Sequence, residues 1–149
     1  MNDFESSLND MLVDTFNSIL KFEEESLKTL NEPVTISEAH IIEAVGKQPD
    51  KQSTVSKIAA VLNIAMPTAT VAVKKLEQKG FLAKMPCQRD GRQTIITLTD
   101  LGKKIDRAHQ FFHRKMARHV AKQFDEAERD VLLKAIQTLN EFFKARVDA

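Results

Sequence analysis

The sequence predicts a mainly α-helical fold in which a helix-turn-helix and a β-hairpin sit between long amphipathic helices. Three observations predict it. Apolar residues recur at helical spacing over most of the 149 residues, and Gly and Pro are few, at four each. Two helical stretches, "TVSKIAAVL" and "MPTATVAVKKLEQK", are separated by a short break. Two short alternating runs, 81–85 and 94–98, flank the charged segment "QRDGRQ".

Taken in order, residues 4–30 read as one amphipathic helix. Phe4, Leu8, Leu12, Phe16 and Leu20 recur every fourth residue, and Met11 and Ile19 widen the stripe. "NEPVTIS" breaks it. Thr35 or Ser37 can cap a second helix over 38–46, with Ile41, Ile42 and Val45 inward. "KQPDKQST" is a loop, and 54–62 is a short helix. Asn63 and Ile64 form a turn. Pro67 suits the first turn of the next helix, where its missing N–H is not needed. Gly80 stops that helix, whose buried side is Val71, Leu76 and Ala72 or Val73. After the hairpin, Thr99 or Asp100 caps a helix to about residue 124, with Ile105, Ala108, Phe112, Met116 and Val120 on one side. Asp125 caps a last helix, with Leu132, Ile136, Leu139 and Phe143 inward. A further short strand is expected near the third helix, paired with the hairpin.

Composition narrows the function. An apolar share of 42% supports a core, and the length suggests a single domain. One cysteine cannot form an internal disulfide, which fits a reducing cytoplasm. The acidic start "MNDFESSLND" is not a signal peptide, and no apolar run nears the ~18 residues of a membrane span. No Gly-rich phosphate loop, Gly-x-Ser-x-Gly or HExxH is present, so an enzyme is not expected. Charge is uneven. Residues 1–50 hold three lysines against eleven acids, whereas 74–118 hold twelve Lys or Arg against four acids. Such a basic segment suits a polyanion, although a solvated helix face would look the same.

The middle of the chain has the order of a winged helix-turn-helix. A helix such as 66–79 fits the major groove of double-stranded DNA, and its N-terminal residues reach base edges. A hairpin tip can place Arg92 in the neighbouring minor groove, with Arg89 beside it. Asp90 is close enough to orient the Arg92 guanidinium, and Gly91 permits a turn with positive φ. The residues "STVSKIAAVLNIAMPTATVAVKKLEQKGFLAKMPCQRDGRQTIITLTDLGKK" resemble the MarR family of bacterial transcription regulators. The family's wing pattern is matched by Asp90, Arg92, Leu98, Thr99 and Gly102. The resemblance implies one domain over 1–149, with a winged-helix DNA-binding lobe at 35–98. Dimerisation helices at 1–30 and 100–149 would interlock in a homodimer that reads a pseudo-palindrome. It implies a cytoplasmic regulator, a repressor, that requires no cofactor.

The second helix of the pair departs from the family's common pattern. Ala65 and Val71 stand where Ser and Arg are frequent. Readout would fall to Pro67, Thr68, Thr70 and Val71, by hydroxyl and methyl contacts that favour an A·T-rich site. Lys74 and Lys75 would contact phosphate, with Ser53, Thr54, Ser56 and Lys57 as further candidates. Helix capping is the plain alternative for the hydroxyl residues.

Two effectors are suggested. "FNSILKFEEESL", "ISEAHIIEAVGKQPD", "VSKIAAVL" and "HQFFHRKM" are similar to the fatty-acid-synthesis repressors of the family. That implies control by a long acyl chain on acyl carrier protein, or by a small apolar ligand. Phe16, Leu20, Phe22, Ile41, Phe112 and Met116 could wall its pocket, though each could equally be core. Lys103, Lys104, Arg107 or Arg114 could dock the acidic carrier. Alternatively, His109 and His113 share a helix face and, with His40 and Glu23 or Glu24, could hold zinc or nickel. This set resembles the zinc-sensing branch of the family, but Cys87 falls in the wing and supplies no second site. Cys87 beside Arg89 could also be an oxidation sensor. A reading of another class is a winged-helix scaffold that binds protein and no DNA.

Overall fold

A computed structural model describes residues 1–86 and 93–147. The elements are α1 (Asp3–Lys28), α2 (Ile36–Gly46), a 3-10 turn (Pro49–Lys51), β1 (Gln52–Ser53), α3 (Val55–Leu62), α4 (Met66–Gln78), β2 (Leu82–Pro86), β3 (Thr94–Leu98), α5 (Asp100–Ala121) and α6 (Glu126–Val147). The expected order is present, including the short strand β1. The helix starts are set by local capping. Asn2 and Glu5 form a capping box on α1, and Thr35 and Glu38 form one on α2. The Thr54 hydroxyl accepts from Lys57 N at 3.1 Å, and Asp125 and Glu128 cap α6 reciprocally. At 35 and 99, threonine is the capping residue of each pair of candidates.

The three strands form an antiparallel sheet in the order β1-β3-β2. Ser53 stands opposite Ile96, and Ala83 opposite Thr97. The chain divides into two compact units, residues 1–112 and 113–149. In the first, Ile42, Val45, Ile58, Val73, Leu76, Phe81, Ile96 and Ile105 are fully buried and form the core between α2, α3, α4, α5 and the sheet. Each fully buried Ile, Leu or Phe is worth roughly 1.5–3 kcal/mol. In the second unit, Arg129 donates from Nε and Nη2 to the Ala121 carbonyl at 3.0 and 2.8 Å, closing the end of α5. Among the described residues no single helix is long and apolar enough to cross a membrane.

Two burial expectations are corrected, at Val71 and on α6. Val71 is 69% exposed, and Ala69, Val73 and Leu76 form the inner face of α4 instead. The stripe on α1 is left open by the described residues: Phe4, Leu8, Met11 and Phe16 are exposed, and burial begins only at Glu23. On α6, Ile136 and Phe143 are exposed, together with Val131 and Leu133. Helical period identifies an apolar face but does not say what lies against it.

Candidate nucleic-acid interface and buried polar cluster

The axes of α3 and α4 turn through 115° across three residues. This is the angle at which the first helix of a pair can cross a DNA backbone while the second enters the groove. Asn63 makes the turn in the left-handed region at φ 52°, a conformation asparagine tolerates better than most residues. Its N–H bonds back to α3, and Ile64 N donates to the Ala59 carbonyl at 3.0 Å. Pro67 lies in the first turn of α4, and Ala65 caps it without a side-chain bond.

The outward face of α4 carries Pro67, Thr68, Thr70, Val71, Lys74 and Lys75, all exposed. Every recognition-helix residue predicted from sequence is therefore on the open side. Ser56 and Lys57 are exposed on α3. Ser53 is buried in β1, and Thr54 is occupied as the cap of α3, so both hydroxyls have structural tasks. The wing candidates Arg89, Asp90 and Arg92, with Cys87 and Gly91, lie outside the described residues.

The base of the wing is described. The Thr99 hydroxyl lies 2.6 Å from the Gly80 carbonyl and 3.1 Å from that of Phe81, and it accepts from Gly102 N at 3.1 Å. Gly102 packs so closely that an added Cβ would overlap the Phe81 carbonyl oxygen. Gly80, at φ 86°, lets the chain reverse from α4 into β2. Leu98, Thr99 and Gly102 thus join the end of α4 to the start of α5.

Within the first unit, α1, α2 and α5 bring together a second group of chemistry-bearing side chains. His109 is 3% exposed. Its Nε2 lies 3.1 Å from Glu23 Oε1, and its Nδ1 lies 3.1 Å from Glu43 Oε2. His40 Nε2 is 3.4 Å from the same Glu23 oxygen, and the two imidazoles are 5.6 Å apart. Burial alone would push Glu23 up, but the hydrogen bonds from His109 and His40 hold it below the usual carboxylate range. The His109 hydrogen bond brings Glu43 down to about 2, with Lys47 assisting against burial. Burial would lower His109, yet the two carboxylates raise it above the usual histidine value. Asp106 is raised by burial, partly offset by Gln110, and its carboxylate lies against Gly46 so closely that a Cβ there would overlap it.

Sequence reasoning named Glu23, His40 and His109, and the structure assembles them: their ligand atoms lie within 4.8 Å of one another. Glu24 is turned to solvent, 3.8 Å from Lys28. His113 stands one turn beyond His109 on α5, in the second unit. Glu43 was not foreseen. Its signal is its place three residues after His40, on the same face of α2. Of the predicted apolar pocket, Ile41 is core, Phe22 and Phe112 meet edge to face at 6.0 Å, and Phe16, Leu20 and Met116 are exposed. Lys104 pairs with Glu32 at 3.6 Å.

Residues 34–94 match the sequence model of the MarR family. The fold matches that of Streptococcus pneumoniae FabT, solved in complex with DNA. The TM-score is 0.86 at 29% identity, covering 95% of this chain and 98% of that one. The HTH-type transcriptional regulator BilQ of Clostridium symbiosum is 27% identical over 117 residues, 78% of this chain and 79% of BilQ. The HTH-type transcriptional regulator YhjH of Bacillus subtilis is 26% identical over 100 residues. That match covers 67% of this chain but only 56% of the length of YhjH. The relatives are regulators, not enzymes. Residues 34–94 thus carry the MarR family domain, and the chain as a whole is similar in fold to FabT and in sequence to HTH-type transcriptional regulators.

Proposed function

We propose that the chain is a homodimeric, cytoplasmic transcription repressor that reads an A·T-rich pseudo-palindrome. The observation that carries this is the 115° helix pair, whose second helix exposes Thr68, Thr70, Val71, Lys74 and Lys75 together. Dimerisation would cover the apolar faces left open on α1 and α6. The likeness to FabT, a fatty-acid biosynthesis repressor, supports control of lipid synthesis; the effector proposed with it is long-chain acyl carrier protein. Anisotropy of labelled DNA from upstream of the chain's own gene tests this at fixed salt. Tight, salt-sensitive binding that the acylated carrier strengthens supports the full reading. Tight binding indifferent to the carrier leaves the DNA-binding role and removes the effector.

A second reading is favoured by one observation, the convergence of Glu23, His40 and His109. Two imidazoles and a carboxylate suit zinc, and Glu43 on the far nitrogen of His109 would orient that ring as an outer partner. Bound metal would supply a cross-link between α1, α2 and α5. Zinc titration followed by thermal denaturation tests it. A rise in midpoint that His40→Ala abolishes supports the site, and no rise at micromolar zinc sinks it.

A further inference from the structure

We propose that α4 reads thymine through its 5-methyl group, with Val71 as the specificity-determining contact and the Thr70 methyl beside it. This rests on the DNA-binding reading and names what that surface recognises. The first observation is what α4 lacks. Residues 66–78 contain no Arg and no Asn, and their one Gln is Gln78, at the last position. Of the side chains that can read guanine or adenine by hydrogen bonds, α4 holds only Lys74, Lys75 and Gln78, all beyond its first two turns. The second is what α4 shows instead. Val71 is 69% exposed and stands opposite the face that is fully buried at Ala69, Val73 and Leu76. A β-branched residue in mid-helix gains nothing from helix propensity, so an open valine there is explained by what it meets.

The third observation concerns Thr70. Its hydroxyl donates to the Met66 carbonyl at 2.9 Å. The proton is spent inside the helix, so Thr70 offers a base edge a methyl group and an acceptor but no donor. Val71 also lines an open groove of about 580 Å³ between the start of α2, at Thr35, Ser37 and Glu38, and α4, at Pro67, Thr68 and Lys75. Apolar surface flanked by Lys74 and Lys75 suits a partner that is anionic at its edges and carries methyl groups on its floor, as the major groove of thymine-rich DNA does.

The test replaces thymine by uracil, which keeps every hydrogen-bonding group and removes only the methyl. A site is first isolated by selection from random duplexes. Each thymine of one half-site is then changed to uracil, and affinity is read by anisotropy at fixed salt. Replacement under α4 should weaken binding about four-fold per methyl removed. Replacement where only the minor groove is read should change nothing, because the methyl lies in the major groove. Val71→Ala, at an exposed position, should bring the thymine-to-uracil ratio at its own base towards one, and Val71→Thr should keep part of it. Equal affinity for thymine and uracil throughout overturns the methyl reading and leaves DNA binding intact, pointing to a protein contact for this apolar face. An unchanged ratio in Val71→Ala overturns the residue assignment. Failure to select any site overturns both readings.

Discussion

Replacing Glu43 by Gln removes one of the two carboxylates that hold the buried His109. Lowering the Glu43 carboxyl from 4.5 to about 2 corresponds to at most roughly 3 kcal/mol at neutral pH. Lys47 lies 2.7 Å away but is 66% exposed, so its share is a few tenths of a kcal/mol. Most of the effect comes from His109, which is 3% exposed. The Gln amide still offers His109 an acceptor, so the substitution should cost about 1–2 kcal/mol rather than the full amount. The sign with pH follows from the two shifts. The Glu43 contribution is present above 4.5 and is lost as pH falls towards 2. The His109 contribution is complete below 6.5 and is lost as pH rises through the raised value of the folded protein. The cost of the substitution should therefore peak between 4.5 and 6.5. Urea unfolding followed by far-ultraviolet circular dichroism measures it, at one protein concentration and with a chelator present. A cost that falls neither on acidification below 4.5 nor as His109 titrates above 6.5 would refute the account of His109 as a cation held between two carboxylates.

Other substitutions probe separate features. Lys79 Nζ donates to the buried Glu38 at 2.8 Å and to the Pro33 carbonyl at 2.9 Å. Lys79→Met should cost about 2–3 kcal/mol in denaturation, and adding Glu38→Gln should recover part of it. Gly102→Ala forces a Cβ against the Phe81 carbonyl oxygen and should lower stability by about 1–3 kcal/mol despite its better helix propensity. A thermal midpoint equal to wild type would contradict the close packing. Lys74→Ala should weaken binding to all duplexes alike and reduce the salt slope by about one. Arg92→Ala should reduce affinity and preference for A·T-rich flanks; unchanged binding would favour a protein-binding scaffold.

The elements legible in the sequence are those fixed by short-range chemistry. Thr35, Thr54, Thr99 and Asp125 announce helix starts because a cap is satisfied within three residues. Gly80 announces a reversal for the same local reason. β1 is only two residues long and exists through its pairing with β3, more than forty residues away, so no local pattern could locate it. Val71 reads as part of an apolar helix face, and the sequence does not say which apolar residues of α4 turn inward. The polar cluster was half legible. His40 and His109 stand out as rare residue types, whereas Glu43 and Asp106 look like surface acids until the packing of α2 against α5 puts them inside.

The open stripe of α1 bears on how the protein is made. Phe4, Leu8, Met11 and Phe16 leave the ribosome ahead of the winged-helix lobe, yet the described residues do not cover them. At about 5–20 residues per second, synthesis from there to residue 149 takes roughly seven to twenty-seven seconds. For that time, and until a second chain is met, the stripe is exposed to chaperones, proteases and other nascent chains. In the proposed homodimer, subunit pairing would be the last step of folding for α1, and its rate would depend on concentration. Polysomes that hold neighbouring nascent copies close together would shorten the wait.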